Sequence, residues 1–158
     1  MFKKLFKNKA VQMNTPIVGK VIQLEEVPDQ VFSGKMVGDG FAIVPTEGKV
    51  YAPIEGEVIQ IFPTKHALGI KSTEGIEVLI HFGIDTVELK GEGFTSYIAA
   101  GDHVKIGDLL LEVDLEVLEA HGKSAITPII FTDKKQYKSF DVSYKDVLKN
   151  DSVCSITL

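Results

Sequence analysis

The chain has 158 residues, 44% hydrophobic and 25% charged, which suits one soluble globular domain with a sizeable core. Its net charge is −5 and all 17 basic residues are lysines, so it lacks the dense basic face of a nucleic-acid binder and has no arginine to clamp a phosphoryl group. A single cysteine, no apolar run near the ~20 residues of a bilayer span and no secretory leader point to a reducing, cytoplasmic setting.

Residues 1–13 are expected to be a flexible N-terminal tail, and 14–158 a single domain. Within the tail, Phe2, Leu5 and Phe6 share one face of any helix, with lysines mostly opposite. The plain reading is a disordered tail; the functional one is weak membrane-surface contact through residues 1–9. From Asn14 onward the apolar period is two, broken by Gly, Pro and Asp turns every 8–12 residues. Strands are expected at 17–24, 41–45, 49–52, 57–62, 67–72, 76–82, 95–98, 109–113, 126–131, 139–142 and 153–158. A short helix is expected over 114–121, with Asp114 as N-cap, Leu115 and Leu118 inward and Gly122 as the stop. Residues 51–58 and 101–108 echo one another as strand-turn-strand units. These features predict an all-β fold, an antiparallel sandwich or barrel with one or two short helices.

Two of the four histidines stand out. His66 opens one predicted strand, His81 closes the next, and Thr73-Glu74-Gly75 joins them. A hairpin about that turn makes the two imidazoles direct cross-strand neighbours, with Cβ atoms ~4.5–5.5 Å apart. His103, in a Gly-Asp turn, reads as solvated, and His121 as a helix-terminal residue. A facing pair can bind metal, serve hydrolysis, or carry a phosphoryl group on one ring while the other donates to it. Metal binding needs a further ligand and hydrolysis a nucleophile; phosphoryl carriage needs neither. Thr64, two residues before His66, is placed to fix its tautomer, and the Gly83 carbonyl to hold the second ring nitrogen of His81. Val31, Phe32, Phe62, Phe82 and Ile84 are candidates for an apolar collar, with plain core as the alternative for each. Asp29 and Asp85 are candidates for an acidic rim.

The run His81-Phe82-Gly83-Ile84-Asp85-Thr86-Val87-Glu88-Leu89-Lys90-Gly91-Glu92-Gly93-Phe94 resembles the signature of the glucose-family IIA component of the bacterial phosphoenolpyruvate-dependent sugar phosphotransferase system. The resemblance extends through Gly38-Asp39-Gly40-Phe41-Ala42-Ile43, Ala52-Pro53, Thr64-Lys65-His66-Ala67 and Thr127-Pro128. It implies a β-sandwich built on a duplicated hybrid motif, with a shallow site. It also implies that His81 takes a phosphoryl group on Nε2 from the carrier HPr and passes it to a cysteine on the IIB domain of a glucose-type permease. His66 then stabilises the phosphoryl group, Thr64 orients His66, Gly83 supplies its carbonyl, and Asp29 and Asp85 meet a partner's arginine. Cys154 does not match the IIB cysteine and reads as structural. No cofactor is expected; a Zn²⁺ shared with a partner through His66 and His81 occurs in enteric members and is not predicted here. Regulatory binding in the unphosphorylated state, also known from enteric members, is not carried over to any surface of this chain. Other readings are a zinc peptidase, which lacks its His-x-His motif and third ligand, a lipoyl- or biotin-type carrier, which lacks its Met-flanked lysine, and a non-catalytic module that regulates transporters.

Overall fold

The computed structural model describes residues 9–158. The amphipathic segment proposed for membrane contact lies at 1–9, almost wholly outside the described residues. The strands are β1 (Ala10–Asn14), β2 (Gly19–Gln23), β3 (Asp39–Pro45), β4 (Lys49–Tyr51), β5 (Gly56–Ile61), β6 (Ala67–Ser72), β7 (Glu77–His81), β8 (Phe94–Ser96), β9 (His103–Val104), β10 (Leu109–Val113), β11 (Thr127–Phe131), β12 (Ser139–Val142), β13 (Asp146–Val147) and β14 (Ser152–Thr157). Two short helices, α1 (Gln30–Ser33) and α2 (Leu115–Ala120), complete the set together with 3₁₀ turns.

All strand pairings are antiparallel. The largest sheet runs β13-β2-β3-β11-β7-β6-β5-β9, and two three-stranded sheets run β4-β10-β8 and β1-β14-β12. This is the expected all-β class. The echo between residues 51–58 and 101–108 has a structural counterpart. β5 pairs with β9 and β4 with β10, and the corners meet where the Ala52 N–H donates to the Asp108 carbonyl at 2.8 Å and the Gly107 N–H to the Ala52 carbonyl at 2.9 Å.

Strand alternation puts two apolar layers on the large sheet. Val78, Ile80, Phe41, Ile43, Ile129 and Phe131 point into the main core, which also holds Met13, Leu110, Leu111, Val153 and Ile156 from the smaller sheets. On the opposite face Ala42 and Ile130 join Ile22, Leu24, Val27, Phe32 and Ile84 in a second cluster. That outer cluster lies beneath the histidines.

The tail boundary expected at residue 13 moves toward the N-terminus. Ala10–Asn14 forms β1, pairs with β14, and buries Met13 completely. Its Ala-Val-Gln-Met run is too short to be recognised without its partner, which lies at the far end of the chain. Helix α1 was not among the helices placed from sequence, because four residues carry no periodicity. Asp29 caps it by accepting from the Val31 N–H at 2.8 Å.

Phe131 joins two sheets. It is fully buried on β11, with its ring 6.4 Å from Phe41 and 4.9 Å from Phe140 of β12. Phe131→Ala is expected to reduce stability by about 3–5 kcal/mol in urea unfolding. A loss under about 1 kcal/mol would contradict a core shared between these sheets.

Candidate functional site

β7 brings His81 to the outer face of the large sheet, and the turn before β6 delivers His66. The hairpin closes with the Ser72 N–H donating to the Ile76 carbonyl at 2.8 Å, so the turn has three residues and centres on Glu74. The register is therefore one step from the expected one: His81 faces Ala67, and His66 lies opposite Phe82, accepting from its N–H at 2.7 Å. The rings nevertheless meet. Lys65 has φ 62°, a left-handed bend that frees His66 from strict strand alternation. Ala67 carries only a methyl group, which leaves room for the neighbouring ring. The imidazole centroids are 4.8 Å apart with planes at 81°.

Both Nδ1 atoms are engaged. Nδ1–H of His81 donates to the Gly83 carbonyl at 2.9 Å. A carbonyl can only accept, so the proton lies on Nδ1, and neutral His81 carries its lone pair on Nε2. Nδ1 of His66 lies 2.5 Å from the Thr64 hydroxyl. Gly83 adopts φ +76°, and a Cβ there would meet Thr86 Cγ2 at 2.6 Å and the Ser124 carbonyl at 2.8 Å, so only glycine fits.

Burial lowers the pKa of both imidazoles. For His66, burial and then the charge of a protonated His81 bring it down to about 4. For His81, burial lowers it, opposed by the Gly83 hydrogen bond and the negative charges of Asp29 and Asp85. Both rings are thus neutral near pH 7.

The collar is smaller than expected. Phe32 stands 4.9 Å from the His81 ring, and Phe62 stands 5.3 Å from the His66 ring. Val31 is exposed beside Phe32 on α1. Phe82 is a correction: it is fully buried in the main core, 6.3 Å from Phe94, and cannot meet a partner. Strand alternation explains this, since Phe82 points to the opposite face from His81. Ile84 is also buried, as floor rather than rim. Asp29 is partly exposed and Asp85 exposed, as rim positions require. His103 and His121 lie outside this constellation, bonded to Glu55 and to the Val117 carbonyl at 2.9 Å each. Cys154 is buried on β14, where burial and then Asp141 push its thiol up to about 12, so it stays protonated and unreactive. Sequence reasoning missed Ile22, Ala42 and Ile130, which form the floor with Ile84. Their signal was present as the second apolar set of strands buried on both faces.

A family model described as the phosphoenolpyruvate-dependent sugar phosphotransferase system, EIIA 1, matches residues 11–137. The chain belongs to this EIIA family. The EIIA chain is 49% identical over 147 residues to a glucose-specific EIIA component of the phosphotransferase system (PTS) from Staphylococcus epidermidis, covering 90% of this chain and 89% of that protein. It is 57% identical over 121 residues to the PTS glucosamine-specific EIICBA component of Bacillus subtilis, covering 77% of this chain but 19% of that protein. The EIIA chain thus spans about a fifth of that relative's length. Among solved structures, glucose permease IIA from Mycoplasma capricolum superposes with a TM-score of 0.89 at 41% identity, covering 94% of this chain and 96% of that one. Membership implies a phosphocarrier role in a sugar phosphotransferase system. No helix among the described residues is long and apolar enough to cross a membrane.

The depressed pKa of His66 has a signed consequence for stability. Between about 4 and 6.5 the unfolded chain binds a proton that folded EIIA does not. Stability from this group is complete above pH 6.5 and is lost as pH falls towards about 4. Over that window wild-type EIIA is expected to lose up to roughly 3 kcal/mol more than His66→Gln in urea unfolding. Parallel pH curves for the two proteins would contradict it.

Proposed function

We propose that His81 Nε2 accepts a phosphoryl group from phosphorylated HPr and passes it to the cysteine of a IIB domain in a glucose-type permease. The observation that carries this reading is the pair itself: two neutral imidazoles 4.8 Å apart, each with Nδ1 engaged. In the first step the P–N bond of the donor histidine breaks as a P–Nε2 bond forms on His81, while the Nδ1 proton stays on Nδ1, donated to the Gly83 carbonyl. In the second, that bond breaks as a P–S bond forms to a thiolate. Each step exchanges one high-energy phosphoryl linkage for another, so catalysis reduces to in-line alignment and charge stabilisation.

In this scheme Thr64 donates to Nδ1 of His66, which leaves an Nε2–H to bond the phosphoryl oxygens. Phe32 and Phe62 exclude water from the P–N bond. Asp29, Val31 and Asp85 meet the partner, whose arginine supplies the guanidinium this chain lacks. The name of the EIICBA relative, which joins an A to a B component, supports a IIB acceptor. The chain itself is taken to need no metal.

Incubation with radiolabelled phosphoenolpyruvate, the system's general kinase and HPr is expected to give acid-labile, base-stable label on the wild type and none on His81→Ala. His66→Gln is expected to take label but to deliver it to IIB about 10²-fold more slowly. Label surviving in His81→Ala would overturn the assignment.

A further inference from the structure

The Gly83 carbonyl that sets the His81 tautomer sits on the Gly83–Ile84 peptide, and its direction follows from how the preceding peptide, Phe82–Gly83, is held. Both polar groups of that preceding peptide bond to buried threonine side chains. Its carbonyl, on Phe82, accepts from the Thr86 hydroxyl at 2.5 Å. Its N–H, on Gly83, donates to the Thr127 hydroxyl at 3.3 Å. The Thr127 hydroxyl in turn donates to the Ala125 carbonyl at 2.9 Å, so each partner's role is fixed. Thr86 and Thr127 are both fully buried. Thr127 is the one hydroxyl residue in Thr-Pro-Ile-Ile-Phe, an otherwise apolar and wholly buried strand. The next amide, Ile84 N–H, donates to the Ser124 carbonyl at 3.0 Å, so one segment, 124–127, braces two consecutive amides of the turn.

We infer that Thr86 and Thr127 are positioning residues that clamp the Phe82–Gly83 peptide, aim the Gly83 carbonyl at His81 Nδ1, and so keep the His81 lone pair on Nε2. Gly83 needs such a clamp. At φ +76° it has no side chain to restrict rotation, and a turned carbonyl releases the Nδ1 proton to either ring nitrogen. Plain burial of a polar residue explains a satisfied hydroxyl. It does not require two hydroxyls from separate segments on the two ends of the single peptide that precedes the acceptor carbonyl. The inference rests on the phosphoryl-acceptor reading of His81 for its kinetic consequence, whereas the tautomer itself is measurable without any donor.

The isosteric change Thr127→Val removes the hydroxyl and Thr127→Ser restores it; Thr86→Val and Thr86→Ser repeat the comparison from the other end of the peptide. Two readouts are needed. Imidazole ¹H–¹⁵N multiple-bond spectra are expected to show wild-type His81 protonated on Nδ1 alone. In each valine variant an Nε2-protonated fraction should appear, with the His66 signals unchanged. Phosphoryl transfer to His81 is expected to slow about 3- to 10-fold in the valine variants, the effect of losing one neutral hydrogen bond, and to return in the serine variants. If one valine variant fails to fold, the other carries the test. Valine variants with a wild-type tautomer and rate overturn the clamp. A wild type that takes no label overturns the phosphocarrier reading instead, and the spectra still report on the clamp.

Discussion

The bond from His81 Nδ1–H to the Gly83 carbonyl is the constraint on which the rest of the site depends. An imidazole whose proton is free to exchange between nitrogens offers each lone pair only part of the time. A carbonyl 2.9 Å from Nδ1 removes that freedom and leaves the lone pair on Nε2, the atom proposed as the nucleophile. The bond spans two residues, so it requires a left-handed Gly83 two residues past the end of β7. That glycine in turn requires a packed turn around it, built from Thr86, Ser124 and Thr127. The fold can thus be read outward from one hydrogen bond: β7 presents the ring, the loop that follows it supplies the acceptor at Gly83, and β11 braces that loop through Thr127.

Burial acts on the same site in a second way. Partial desolvation keeps both imidazoles neutral, and a neutral pair can approach where two cations would repel. Phe32 and Phe62, each against one ring, maintain that low-dielectric setting, with His66 buried and His81 half-buried. The Gly83 hydrogen bond, and after it Asp29 and Asp85, partly restore basicity to His81, as the proposed binding and release of a phosphoryl group would require. The outer apolar cluster under α1 gives these groups a rigid floor. A two-face apolar sheet is therefore part of the proposed chemistry and not only of stability.

Much of this was legible in the sequence, and the misses have identifiable causes. β6, β10 and β12 stand at their predicted bounds, because period-two patterning and flanking turn residues are local signals. β1 was assigned to the tail because its partner β14 is distant in sequence and no local pattern announces the pairing. β9 and β13, of two residues each, are too short to carry a period. The histidine pair was found from hairpin geometry, but with the register one step out, since a three-residue turn centres on Glu74 itself. The left-handed Lys65 then brought the rings together despite that shift. Phe82 was placed in the collar for its adjacency to His81, although alternation alone sends it to the other face. Thr86 and Thr127 were invisible as a unit, because only the folded chain brings them to one peptide.

The central claim is that Nε2 of His81 is the reacting atom while Nδ1 keeps its proton. It is tested most directly by phosphorylating ¹⁵N-labelled protein and recording which imidazole nitrogen couples to phosphorus. The account predicts coupling to Nε2 of His81, with Nδ1 of the same ring still protonated. Phosphorus on Nδ1, or on either nitrogen of His66, would contradict it.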